Sequence, residues 1–445
     1  MSQSVLASPE SSPSTAPTVA PRAVKSRRPG LWLLVRRSLR QHAVSTFVTS
    51  LSVALAAGLV MAVFAIKQQT HDAFTGGPVG FDAVLGARGS ELQLVLNSVF
   101  HLETSPGNIP WAMYTTLKED PQVELAVPYA VGDNYRGYRI VGTTDEMFTK
   151  FEYRKGKKFE LEEGGRIFDS GRREAVIGST VARRTGLQVG SVFNPSHGVS
   201  EAGSHEHADE YVVTGIMKPT NSPSDRVIWI PIEGIFRMEG HVLRGTGETY
   251  KPEAGQEIPD EAKEVSSVML KFKSPMAGLR LRDQVNRQGT VATLAFPIAN
   301  VMSGLFEKIG WVTRVLEMVA YLTMVVAAGS ILASIYNTIS ERRREFAIMR
   351  ALGARRGTVF SAVLLESTVI AFLGTLGGFL IYGGIVGTAA LVIREQTGVV
   401  MEVLKFHPVL VFGPLGMIVL GALSGILPAV RAYSTDVASN LVPTT

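Results

Sequence analysis

The stretch Ser340–Val359, "SERRREFAIMRALGARRGTV", carries six arginines between two of the most apolar segments of the chain. Cations at this density cannot lie in hydrocarbon, so the apolar flanks are two separate membrane spans and the stretch is a turn at the membrane surface. The spans are expected at Val315–Tyr336 and at about Phe360–Ile393. Two further runs have the same character: Val44–Ile66, which holds no charge, and about Val409–Val430. At about 1.5 Å per residue each is long enough for a hydrocarbon core of roughly 30 Å. The first run is not a cleavable leader, because "FAIKQQTHD" after it offers no small-residue cleavage site. The order is therefore one span, a long polar segment, and three spans. The third is longer than one crossing needs, and its glycines Gly374, Gly377, Gly378, Gly383, Gly384 and Gly387 allow a break or, more in keeping with their spacing, close helix packing.

Composition agrees with a membrane protein that carries a large water-soluble part: 46% of the 445 residues are hydrophobic and 19% charged. The net charge of +5 gathers beside apolar runs, which fits anionic lipid and argues against a nucleic-acid surface. Cysteine is absent, which excludes disulfides, thiolate metal sites and a cysteine nucleophile. Residues 1–29, rich in Ser, Pro and Ala, read as a disordered tail. In "LWLLVRRSLRQH", Leu31, Leu34, Val35 and Leu39 recur at helical spacing against Arg36, Arg37 and Arg40, the pattern of a helix lying on the membrane surface. Arginines before the first span and between the second and third place both segments, and both termini, in the cytoplasm. The segment 68–310 and the short "REQTGVVMEVLKFHP" loop are then outside.

The outer segment has the grammar of an α+β domain. "RGSELQLVLNSVF" opens with Ser90 and Gln93 at capping-box spacing and sets Leu92, Val95, Leu96, Val99 and Phe100 on one helical face. "STVARRTGL" reads as a helix ending at Gly186. "VELAVP", "YRIVG", "EAVIG", "YVVTGIM", "RVIWIP" and "SVMLKFK" read as strands. "FDAVLGARGSELQLVLNSVFHLETSPGNIP" reads as a structural connector from the first span. The expected fold is a four-span α-helical membrane protein with this domain inserted between spans one and two: residues 30–67 hold the surface helix and first span, 68–310 the domain, and 311–445 the remaining spans.

The sequence holds no phosphate-binding G-x-x-x-x-G-K-[ST] loop, no H-E-x-x-H and no G-x-S-x-G, so catalysis by this chain is not expected. Yet "SIYNTISERRREFAIMRALGARRGTVF", with "GILPAVRAYSTDVASNLVP" after the fourth span, resembles the ABC-transporter permease family that includes the macrolide exporter MacB, the lipoprotein-release permeases LolC and LolE, and the cell-division protein FtsX. "REAVIGSTVARRTGLQVGSVF" and "GIMKPTNSPSDRVIWIP" resemble the MacB-type periplasmic core domain. The resemblance implies a bacterial inner-membrane permease, a separate ATPase subunit that brings the ATP, a homodimer, and a possible periplasmic substrate-binding or adaptor protein. An FtsX-like relay without transport, or lipoprotein release, has the same layout. The stretch that opened this section is then the coupling helix. Phe346, Ile348, Met349 and Leu352 fall within an arc of about 160°, with Arg343 and Arg350 on the other side, suited to a partner's groove and its carboxylates.

Three other features invite a role. His197, His205, His207 and Asp209, beside Glu210 in a Gly/Ser-rich insertion, have imidazole and carboxylate spacing for a divalent ion such as zinc. Glu366 stands in the apolar third span, about two turns from its cytoplasmic end, where it is expected either to snorkel or to pair with an arginine. Glu317 stands near the outer end of the second span.

Overall fold

The computed structural model describes residues 29–75, 80–198, 207–238, 258–401 and 405–433. The expected tail, up to residue 28, and His205 lie outside these. Among the described residues four helices are long and apolar enough to cross a membrane: the first span Ala43–Thr75, the second Ile298–Glu341, the third Arg356–Thr397 and the fourth Val409–Tyr433. The helix expected at the membrane surface (the surface helix) is Pro29–Gln41, and the one expected to couple (the coupling helix) is Arg343–Ala351.

The first three spans outrun their apolar runs, because hydropathy marks only the part that lipid covers. The 44 residues of the second span reach about 66 Å at 1.5 Å each, roughly twice the hydrocarbon thickness. The third span is one unbroken helix of 42 residues, so its extra length protrudes. Its glycines admit neighbours: a Cβ on Gly374 would fall 2.5 Å from Val53 Cβ, and one on Gly378 2.9 Å from Ala57 Cβ. Across the same contact Gly58 has no room beside Ile381, and on the other side Gly421 of the fourth span presses on Ala371. Close backbone approach of this kind holds helices together where lipid offers no hydrophobic drive. Gly383, Gly384 and Gly387 meet nothing nearby.

Among the described residues between the first and second spans lie twelve strands: β1 (Ala83–Ala87), β2 (Ile109–Pro110), β3 (Val123–Tyr135), β4 (Tyr138–Thr143), β5 (Glu174–Ile177), β6 (Val192–Phe193), β7 (Ser196–His197), β8 (Tyr211–Ile216), β9 (Ile228–Pro231), β10 (Glu264–Val265), β11 (Ser267–Phe272) and β12 (Ala292–Ala295). The main sheet runs β12-β1-β11-β3-β4-β9-β5-β8-β6, β7 pairs with β3, and β2 pairs with β10. It is mixed: β4 with β9 and β5 with β8 are parallel, the other pairs antiparallel. The long β3 joins the two halves, and a register shift between Val131 and Asp133 bends it. The stretch read as a connector is more than that. Its "AVLGA" is β1, paired on both edges, with β11 and β12.

Both faces of the sheet are covered. Along β9, Ile228 and Ile230 enter one core and Trp229 the other; along β5, Ala175 and Ile177 part from Val176 in the same way. The helix Glu91–Ser98 begins at Ser90, whose hydroxyl accepts from the Gln93 N–H. The Gln93 amide donates to Thr104 O instead of reaching back, so only half of the capping box forms. The helix Ser179–Thr185 ends at Gly186 in the left-handed conformation, φ 77°. The second core takes in Ile298 and Met302, the first turns of the second span. That helix is thus seated in the domain at one end and in the membrane along the rest.

Candidate functional site

At the end of the bundle far from the inserted domain, a break at Arg342 turns the second span into the coupling helix. Arg342 is buried and holds four elements. Its Nη1 donates to Ser38 Oγ of the surface helix at 2.6 Å, and Ser38 Oγ donates to Glu366 Oε1 of the third span at 2.5 Å. Nη1 lies 3.8 Å from Glu366 Oε2, Nε donates to Glu345 at 2.9 Å, and the guanidinium covers the Phe346 ring at 5.2 Å. Glu366 thus finds the arginine expected for it. Ser38, Arg342 and Glu366 are all buried, and a buried ionic group persists only where its charge is matched and its hydrogen bonds are made. The fourth span closes the same end: Arg431 contacts the Tyr336 hydroxyl, and Arg356 lies over the Tyr433 ring.

This anchoring divides the apolar arc of the coupling helix. Phe346 is buried in the core of the bundle and Met349 packs against that core. Ile348 is 44% exposed and Leu352 83%. The arc is therefore not one outward face: Phe346 lies inward, beneath the Arg342 guanidinium, and Ile348 and Leu352 lie out. Arg343 and Arg344 are exposed and Arg350 half-buried. Truncating a buried phenylalanine costs about 3–5 kcal/mol, so a variant at Phe346 reports packing before it reports docking.

At the opposite end ion pairs tie the spans to one another and the third span to the inserted domain. Lys67 Nζ meets Glu317 Oε1 at 2.7 Å between the first and second spans. Arg184 of the domain pairs with Glu395 at the tip of the third span, and Lys405 approaches Asp72 at 3.6 Å. Within this junction is a cavity of about 810 Å³, lined among others by Gln69, His101, Tyr129, Ser222, Lys271 and Met401. Gln69 is buried, and neither atom of its amide has a hydrogen-bond partner among the described residues. His101 stands edge-on to Trp229, ring centres 6.0 Å apart. Burial, with the charge of Arg139 adding to it, lowers its pKa to about 3, so the imidazole is neutral at physiological pH. No motif announces this chamber; it forms only where residues far apart in sequence meet.

The histidine insertion is only partly brought together. His197 and His207 converge, with Asp133 of β3 between them. Asp209, expected beside them, is buried against Arg173 in an ion pair, because β8, which follows it, carries it to the Arg173 end of β5.

The fold and the junctions define a four-span membrane protein whose second span physically connects an inserted α/β domain to a buried polar hub beside the coupling helix. Residues 46–288 match the MacB-like periplasmic core domain and residues 317–437 the FtsX-like permease C-terminal region; the chain belongs to this MacB-like and FtsX-like family. It is similar to the uncharacterized ABC transporter permease YknZ of Bacillus subtilis, 26% identical over 228 residues that cover 48% of this chain and 56% of that one. It is also similar to the macrolide export ATP-binding/permease protein MacB of Nitrobacter winogradskyi, 31% identical over 118 residues, 26% of this chain and 17% of that one. The chain thus spans between a sixth and little more than half of the length of these relatives. The crystal structure of the periplasmic region of MacB from Actinobacillus actinomycetemcomitans aligns at a TM-score of 0.32 with 11% identity, covering 52% of this chain and 94% of that one.

Proposed function

We propose that this chain is the permease subunit of an ABC transporter of the MacB and LolC type, and that it relays motion from a separate cytoplasmic ATPase to its extracytoplasmic domain. The observation that carries this reading is the continuous second span, seated in the domain core by Ile298 and Met302 and ending at Arg342, where the coupling helix begins. An α-helix is stiff along its axis, so displacement at one end arrives at the other. In this reading Ile348 and Leu352 enter a groove on the ATPase, Arg343 and Arg350 pair with its carboxylates, and Phe346 and Met349 fasten the coupling helix to the bundle. Two copies of the chain work beside two ATPase subunits, and the domains act on the cargo from outside the membrane.

Affinity purification of the full chain from native membranes in mild detergent tests the reading. Wild type is expected to bring vanadate-sensitive ATPase activity with it. Ile348→Asp combined with Leu352→Asp should leave the chain folded and remove at least about nine-tenths of that activity, since burying carboxylates without partners costs several kcal/mol. A wild-type chain that carries no ATPase, or a double variant that keeps it, would sink the proposal.

A further inference from the structure

We propose that Asp133, His197 and His207 form a binding site for a divalent transition-metal ion of the zinc class, tying β7 and the segment before β8 to the central strand β3. This site is independent of the ATPase-relay reading and stands on the inserted domain alone.

The fold builds the site from three directions. The register shift after Val131 re-aims Asp133, and its side chain is wholly buried. The strand β7 then pairs with β3 so that His197 stands directly opposite Asp133. The third group comes from the far end of the insertion: the His207 N–H donates to Pro195 O at 2.8 Å, and Asn194 Nδ2 donates to His207 O at 3.3 Å. The near end is fixed by the Gly198 N–H on Gly132 O at 2.9 Å and by Asn134 Nδ2 on Gly198 O at 2.8 Å. Backbone bonds thus set both histidines, which lowers the cost of bringing ligands together on binding.

The side-chain geometry has the dimensions of a coordination sphere. His197 Nδ1 and His207 Nε2 each lie 3.2 Å from Asp133 Oδ1, and all three ligand atoms fall within 4.8 Å of one another. Ligands held at about 2.0–2.1 Å around a tetrahedral ion are separated by about 3.4 Å. The observed separations of 3.2 Å are near that edge and also at the long end of an ordinary N–H···O bond, so metal binding has to be read directly. The rings stand at 82° with centres 5.7 Å apart, so they meet edge-on and do not stack. Two imidazoles and one carboxylate suit zinc, cobalt, nickel or copper(II), whereas calcium and magnesium prefer oxygen ligands throughout. His207 is 9% exposed and His197 61%. The ion would therefore sit on a closed floor with an open side, where solvent supplies a fourth ligand.

The test uses the full chain in detergent, purified without a polyhistidine tag, stripped with chelator and titrated calorimetrically with Zn²⁺ alone. One ion per chain is expected, with a zinc-dependent rise in the thermal transition, and Co²⁺ should give the visible bands of a tetrahedral site. Asp133→Asn keeps the shape of the side chain and should weaken binding at least about tenfold, since even partners behind the ligands are worth that much. Because Asp133 is buried, His197→Gln on the open side serves as a second variant, with the chelator-stripped thermal transition unchanged and the zinc-dependent rise lost. Saturable binding lost in either variant supports the site. Wild type without saturable Zn²⁺ binding, or both variants binding as wild type, overturns it and leaves an ordinary Asp–His hydrogen-bond cluster.

Discussion

His101 is a residue whose environment decides its protonation. Its Nδ1 is shut away from solvent without a hydrogen-bond partner among the described residues, and Trp229, Tyr129 and the cation of Arg139 lie about the ring. The folded-state pKa of about 3 lies below the ordinary value near 6.5. Between these values the unfolded chain binds the proton and the folded chain does not. Stability from this group is therefore complete above about pH 6.5 and is lost as the pH falls toward 3, at no more than about 1.4 kcal/mol per unit. Thermal unfolding of the chain should decline over this acid range, and His101→Phe should flatten the decline; an unchanged slope would count against the assignment. At this scale the sequence is read least well. Asp133 stands inside the long run that forms β3, and nothing local says that a bulge and a distant strand will bring it between two histidines. Phe346 and Leu352 both belong to the apolar arc of the helix, yet Phe346 is buried in the core of the bundle and Leu352 is exposed, a difference set by neighbours that the wheel does not show.

Elements are more legible, because period and hydropathy are local. Each span was within reach of its apolar run, and the runs rich in β-branched residues are β3, β4, β5, β8, β9 and β11. The helix ends were not, since Lys67–Thr75 continues the first span in water, where hydropathy is silent. The short β1 was hidden too, as its five residues become a strand only through β11 and β12. How the elements are fastened is a question the buried hub answers. Removing one member of a buried ionic pair costs about 3–5 kcal/mol, whereas replacing both by apolar residues is often neutral. Glu366→Ala should accordingly lower the thermal transition of the purified chain by several degrees, and Glu366→Leu together with Arg342→Met should recover most of the loss. If the double variant is as unstable as the single one, the hub is not acting as a charge pair.

For the whole molecule, the layout of one span, an inserted domain and three spans could be read from the order of apolar runs, but the stiffness of the connection could not. The second span passes from the domain core to the coupling helix without interruption, and the proposed relay of motion rests on that continuity. Gly310 lies in the stretch between the buried turns at Ile298–Met302 and the membrane-covered part, and a Cβ there meets nothing nearby. Proline at this position removes one backbone hydrogen bond and kinks the helix at a cost of about 3 kcal/mol, while alanine only favours it. The chain has no cysteine, so Ser224→Cys beside the chamber gives a single thiol whose maleimide labelling rate reports on the domain. With the co-purified ATPase present, MgATP should change that rate in the Ser224→Cys background and in Gly310→Ala. Gly310→Pro should retain ATPase activity and lose the change in labelling, because force entering at the coupling helix is then absorbed by the kink. A labelling response that survives the proline would mean that motion reaches the domain by the third span and its Arg184–Glu395 contact, and the role given to the second span would fall.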